Sequence, residues 1–181
     1  MRQAQTRQTV FIKDFPLCTE TLWNKEFNNL FEHSFLIRHP ARTITSYYKG
    51  DSHVSEEAIG FRHLRLYFDM IKAQFEFIPP VLDSDDILDL PQALLNIWCK
   101  TVGIPYIEAA LTWDSRKLKK PKNNFYYEKF FYHQNLIHST GFLRQGSDEL
   151  PDITLPSTWL QDIYYKVMPE YEYLYQYRLR V

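Results

Sequence analysis

SFLIRHPARTITSYYK, residues 34–49, reads as a strand that turns into a helix. Phe35, Leu36 and Ile37 form an apolar run of the kind that makes a short buried strand, and Arg38 stands where that strand would end. Pro40 breaks the strand, and residues 42–48 have the composition of a helix with a polar start. Such a turn sets a guanidinium, from Arg38, and a hydroxyl, from Ser46, on one crevice beyond the strand end. Backbone N–H groups at a helix start favour an anion, and arginine offers a planar fork of donors that takes phosphate oxygens in pairs. The stretch outlines a phosphate site. Taken by itself it is equally compatible with a surface arginine and an ordinary helical serine, because short motifs are unspecific.

Working outward, Thr9, Val10, Phe11 and Ile12 read as a buried strand ending at Lys13 and Asp14. Open α/β sheets carry their chemistry at strand ends, which makes Lys13 and Asp14 candidates by position. Thr19 or Thr21 would cap a helix bearing Leu22, Trp23, Phe27, Leu30 and Phe31. Ser55 opens the clearest helix, with Glu56 and Glu57 in its first turn and Val54, Ala58, Phe61, Leu64, Phe68 and Ile71 along one face. Arg62, Arg65 and Lys72 lie on its other faces and read as solvated. In residues 75–83 the two adjacent prolines confine regular pairing to Val81 and Leu82, or place the segment at an edge. Asp83, Asp85 and Asp86 are better read as helix caps than as a metal site. Pro91 opens a helix that Gly103 stops, and a short amphipathic helix follows at 107–113. Arg116, Lys117, Lys119, Lys120 and Lys122 then crowd a loop that is either a solvated charge run or a basic lid over an anionic ligand. Trp159, Leu160, Ile163, Val167, Tyr171 and Leu174 mark a final helix. Strands alternating with helices predict an α/β fold, a small parallel sheet flanked by helices, with a mostly helical C-terminal half.

A chain of 181 residues fits one domain, 1–181, behind a flexible polar leader at 1–8, and is long enough to bury a core without staples. A formal charge of −1 argues against a protein that coats nucleic acid. Cys18 and Cys99 have no metal-ligand spacing, and both are expected to be reduced and buried. The six histidines likewise show no ligand spacing, and no metal is expected. Without an apolar run of membrane length or a signal peptide, the expected setting is soluble and cytoplasmic, with no membrane partner. The 17% aromatic content suits a hydrophobic acceptor pocket and a core equally.

An Arg at a strand end, Pro two residues on, Ser eight residues after the Arg and then a Tyr pair resembles the 3′-phosphate-binding segment of sulfotransferases. The likeness extends to FIKDF (11–15), which looks like the strand that ends in that family with a Lys and, close behind, a catalytic histidine. VLDSDDILDLPQALLNIWCKTVGIPY (81–106) resembles its Asp-rich turn and Pro-opened helix. LTWDSRKLKKPKNNFYYEKFFYHQNLIHSTGF (111–142) is similar to the late Trp, basic-loop and Ser-Thr-Gly-Phe segment of a soluble branch. The matches run in the family's order over roughly residues 9–180. This resemblance implies a P-loop NTPase-like three-layer fold and transfer of a sulfuryl group from 3′-phosphoadenosine 5′-phosphosulfate (PAPS) to an acceptor hydroxyl or amine, leaving adenosine 3′,5′-bisphosphate (PAP). It gives Arg38 and Ser46 the 3′-phosphate, places Lys13 near the reacting end with Asp14 beside it, and sets Arg116 and Lys117 over the nucleotide.

Two departures accompany the likeness. No Gly/Ser/Thr-rich loop to cradle a 5′-phosphosulfate occurs, so an N-terminally truncated version of the fold is expected, and Phe15 and Pro16 follow Asp14 where the cytosolic enzymes place a histidine base. Partners on this reading are the nucleotide donor and an unidentified small-molecule acceptor. The alternative is a non-catalytic or truncated relative that keeps a nucleotide 3′-phosphate pocket or acts as an interaction module. Binding of single-stranded nucleic acid through the basic loop and its aromatics is disfavoured by the near-neutral charge.

Overall fold

The apolar runs at 35–37 and 81–83 find each other. In the computed structural model, which describes residues 10–114, 138–142 and 157–181, β1 (Phe35–Ile37) and β2 (Val81–Asp83) pair in parallel, Phe35 opposite Val81 and Ile37 opposite Asp83. The other edge of β2 is taken by the C-terminal segment, where Arg178 bridges Val81 and the Leu179 N–H donates to the Val81 carbonyl at 2.8 Å. Helix α1 (Pro16–Thr19) and α2 (Lys25–Asn28) precede β1, and α3 (Pro40–Gly50) follows it. Between the strands lie α4 (Glu56–Ile59) and α5 (Phe61–Phe75). After β2 come α6 (Ser84–Asp89), α7 (Pro91–Thr101) and α8 (Thr158–Tyr175). The architecture is mixed α/β, a small parallel sheet flanked by helices, as the alternation predicts.

The core forms where α8 packs on α5, α3 and both strands. Phe68, Ile71, Ile37, Ile44, Val81, Leu160 and Leu174 are all but sealed from solvent. Each such aliphatic or aromatic side chain contributes about 1.5–3 kcal/mol relative to an exposed one. The apolar face expected for α5 is the one that enters this core, through Phe61, Phe68 and Ile71.

Several local expectations are corrected. Residues 10–12 form no strand, and Val10, Phe11 and Ile12 are 75%, 71% and 61% exposed. A strand exists only against a partner edge, which an apolar run does not provide; here Phe11 instead stands edge-on to Trp98 of α7. Lys13 and Asp14 therefore sit in an irregular segment, and the described residues hold two strands rather than three. The helix expected after Thr19 is broken into α1, a 3-10 turn (Glu20–Leu22) and α2, because the Asn24 side chain accepts from the Phe27 N–H and starts a new helix. Ser55 does cap its helix, through the Ala58 N–H, but Gly60 at φ 78° ends it after one turn and α5 starts afresh. Helix α3 begins two residues earlier than expected, since Pro40 at the first helical position is preorganised for it. Arg65 and Lys72 are not solvated bystanders. The Arg65 guanidinium donates to Glu170 at 2.7 Å and lies 4.2 Å over the Tyr173 ring, while Lys72 donates to the Tyr173 and Tyr177 hydroxyls. Cys18 is exposed, on a single helical turn that buries none of its residues, whereas Cys99 is buried.

Candidate anion-binding site

Parallel neighbours end on the same side of a sheet, so Arg38 after β1 and Asp83 at the end of β2 open onto one edge. Arg38 is exposed, and its guanidinium makes no hydrogen bond or ion pair among the described residues. Packing around the guanidinium draws its pKa below the ordinary value. Asp85 opposes that shift, Arg42 adds to it, and Asp83 opposes it more weakly. The Arg38 carbonyl accepts from the Thr43 hydroxyl at 3.2 Å, which fixes the strand end against the first turn of α3.

His39 caps α3. Its Nδ1 accepts from the Ala41 N–H at 3.3 Å, and its ring stands edge-on to Tyr171 with centroids 5.4 Å apart. Burial lowers its pKa; Asp85 acts against this and Arg42 with it, so the neutral imidazole that a cap requires is favoured. Arg42 lies three residues into the helix start, 10% exposed, with Nε 3.3 Å from Asp85 Oδ2. Asp83 is 2% exposed. One of its oxygens accepts from the Asp85 N–H at 2.8 Å, capping α6, and the other from the Tyr171 hydroxyl at 3.0 Å. Burial raises the Asp83 pKa, and these two hydrogen bonds work in the opposite direction. Burial, followed by the negative charge of Asp83, raises the pKa of Tyr171. The polar chain thus runs from α8 through β2 and α6 to the first turn of α3.

Ser46 is exposed on α3, roughly 9 Å along the axis from the helix start at 1.5 Å per residue. It follows Arg42 by four residues and Thr43 by three, which puts the three on one face. Arg38 and Ser46 thus belong to one strand–helix unit, Arg38 at the strand end and Ser46 farther along α3 on the face that carries Arg42 and Thr43, and among the described residues no hydrogen bond joins the two. Lys13 and Asp14 are not joined to it. Both are exposed, the Asp14 carboxylate accepts among the described residues only from its neighbour Phe15 N–H, and neither makes a hydrogen bond or ion pair with Arg38 or Ser46. Arg116 and Lys117 lie outside the described residues.

Sequence reading did not single out Arg42 or Tyr171, and it took Asp83 and Asp85 only as caps. Arg42 did carry a signal. A cation in the first turn of a helix opposes the helix dipole and calls for an anion nearby. Tyr171 carried none, because its partner lies 88 residues away.

The residues fit the 3′-phosphate part of a nucleotide: a guanidinium without a protein acceptor among the described residues, a hydroxyl on the same unit, and a helix of 11 residues starting between them. Among the described residues no group of three His, Cys, Asp or Glu is placed to hold a metal ion, and no helix is long and apolar enough to cross a membrane. A family model described as a sulfotransferase domain matches residues 12–176. No curated protein and no solved structure matches the chain.

Proposed function

Because the chain belongs to the sulfotransferase domain family, we propose that it takes PAPS as donor and passes the sulfuryl group to an acceptor hydroxyl or amine. The single observation that carries this reading is Arg38: a guanidinium with no partner among the described residues, at the end of β1 on a residue whose backbone carbonyl accepts from the Thr43 hydroxyl. Such a group holds the nucleotide by its 3′-phosphate, and positioning of the donor accounts for much of the rate in transfers of this kind. Bound PAPS would supply the activated sulfuryl group. On this reading Lys13 offers a positive charge near the reacting end, Asp14 takes the acceptor proton, and Arg116 and Lys117 cover the nucleotide.

The test is thermal. PAP is expected to raise the melting temperature, and Arg38→Ala is expected to abolish the rise while leaving the unliganded transition in place. Absence of any rise in the unmutated protein would overturn donor binding. A second reading, nucleotide binding without turnover, is favoured by the exposure of Val10, Phe11 and Ile12 and by the separation of Lys13 and Asp14 from Arg38. Release of PAP from PAPS over a panel of phenols, alcohols and amines separates the two: binding without release supports the second.

A further inference from the structure

We propose that Tyr171 is a positioning residue of the nucleotide site: its hydroxyl holds the Asp83 carboxylate on the core face of the sheet, and that hold keeps Arg38 open to the 3′-phosphate. The inference rests on the reading of Arg38 given above and assigns a residue of α8 to the same site.

Four observations carry it. First, an acid stands beside the guanidinium that is to take the phosphate. Asp83 pairs with Ile37 in the register, one residue before Arg38, and its charge acts on Arg38. Second, the two nonetheless form no ion pair. The Arg38 guanidinium has no partner among the described residues, and Asp83 engages both of its oxygens elsewhere, one with the Asp85 N–H at 2.8 Å and one with the Tyr171 hydroxyl at 3.0 Å. Third, strand alternation sets acid and guanidinium on opposite faces: Phe35, Ile37 and Asp83 are buried, whereas Leu36 and Arg38 are exposed. Fourth, the Tyr171 ring stands edge-on to His39, the residue after Arg38, with centroids 5.4 Å apart, while its hydroxyl reaches Asp83. One side chain of α8 therefore meets both sides of the edge on which Arg38 stands.

Of the two donors on Asp83, the backbone N–H is fixed by the start of α6, and the hydroxyl is the one that a substitution removes. A carboxylate 2% exposed with one oxygen left unpaired is costly. The guanidinium at the adjoining strand end offers a remedy, because its long side chain can carry a planar fork of donors around the end of the sheet. An Arg38 paired in this way is lost to an incoming phosphate, which must then displace a carboxylate where it would otherwise displace water. Tyr171 thus acts on phosphate binding through Asp83 and Arg38, without a contact of its own to the nucleotide.

The experiment compares calorimetric Kd values for PAP and for adenosine 5′-monophosphate, which lacks the 3′-phosphate. Tyr171→Phe, which keeps the ring and removes the hydroxyl, is expected to weaken PAP about fivefold, the lower end of coupling between sites, and to leave adenosine 5′-monophosphate unchanged. Adding Asp83→Asn removes the competing charge and is expected to restore the PAP affinity of the unmutated protein, which a merely structural hydrogen bond would not allow. With the wild-type preference for PAP in place, an unchanged PAP affinity in Tyr171→Phe, an equal weakening of both nucleotides, or no recovery in the double variant overturns the inference and leaves Tyr171 a residue of the core. Should the double variant fail to fold by circular dichroism, the side-chain Nε–H resonance of Arg38, assigned with Arg38→Lys, decides instead. In Tyr171→Phe it is expected to move to the position of a carboxylate-paired guanidinium, and a resonance that stays at its wild-type position overturns the inference. A wild-type protein with no preference for PAP over the monophosphate overturns the 3′-phosphate reading of Arg38 and this inference with it.

Discussion

Asp83 shows how one residue joins the sheet to the site. Its carboxylate is buried among the apolar ends of β2 and α8, with one oxygen on the Asp85 N–H and the other on the Tyr171 hydroxyl. Burial holds its folded-state pKa above the ordinary 3.8, so between those two values the folded protein keeps a proton that the unfolded chain has lost. The contribution of this group to stability is thus full below pH 3.8 and declines as pH rises through the folded-state pKa. The Tyr171 hydrogen bond limits the decline, since it stabilises the ionised form. Tyr171→Phe is expected to cost about 1.5–3 kcal/mol at pH 7, the range for a bond to a charged group, and distinctly less below pH 4. Urea midpoints at the two pH values check this, and an equal cost at both would sink it. At this scale the sequence was half legible. The places of Arg38 after a strand and of Ser46 on the following helix could be read because strand end, proline and helix start are local features, and Asp83 could be read as a cap for the same reason. Its role as acceptor for Tyr171 depends on packing 88 residues away, which no local pattern encodes.

At the scale of elements, the joint between α4 and α5 separates two readings by sign. Periodicity from Ser55 onward describes one helix, in which Gly60→Ala would stabilise by about 1 kcal/mol. The structure places Gly60 at φ 78°, where a side chain opposes the backbone and not its surroundings; the nearest atom to a Cβ there would be the Glu57 carbonyl oxygen at 3.9 Å. Gly60→Ala is therefore expected to destabilise by about 1–2 kcal/mol, measured as a lower denaturant midpoint with unchanged slope. Stabilisation would restore the single helix. Helices α6 and α7 were legible because each begins with its own signal, Asp83 and Pro91, whereas α3 was legible in its body and its start at Pro40, capped by His39, was read as a strand break. The strand expected at 9–12 and the long helix expected after Thr19 were not. One needed a partner edge, and the other was cut by a cap, Asn24, that competes with apolar spacing.

At the scale of the molecule, α8 is what holds the strands, α3 and α5 together. It supplies Leu160, Ile163, Val167, Tyr171 and Leu174 to the core, and its aromatic rim takes up Arg65 and Lys72 of α5. The charges on α5 seemed solvated in sequence because this partner arrives about 100 residues later. Just beyond α8, Arg178 donates to Asp86 at 2.9 Å, and its guanidinium lies 3.6 Å over the Tyr175 ring. Arg178→Met is expected to cost about 1–2 kcal/mol, combining a partly exposed charged hydrogen bond with one cation–π contact. A melting curve superimposable on that of the unmutated protein would refute it.

The seam at Leu179 also bears on the order of events during folding. The Val81 carbonyl waits for an N–H that lies 98 positions downstream, and Tyr171, which steadies Asp83, lies 88 positions downstream. Contacts of such separation are slow to close, because the chain between them must first be gathered. A ribosome that has released β1, the turn and the whole of α3 has therefore made the Arg38 end of the sheet without the parts that lock its neighbour strand in place. The Arg38 end of the sheet is therefore synthesised before the segments that lock its neighbour strand, and becomes rigid only after they arrive.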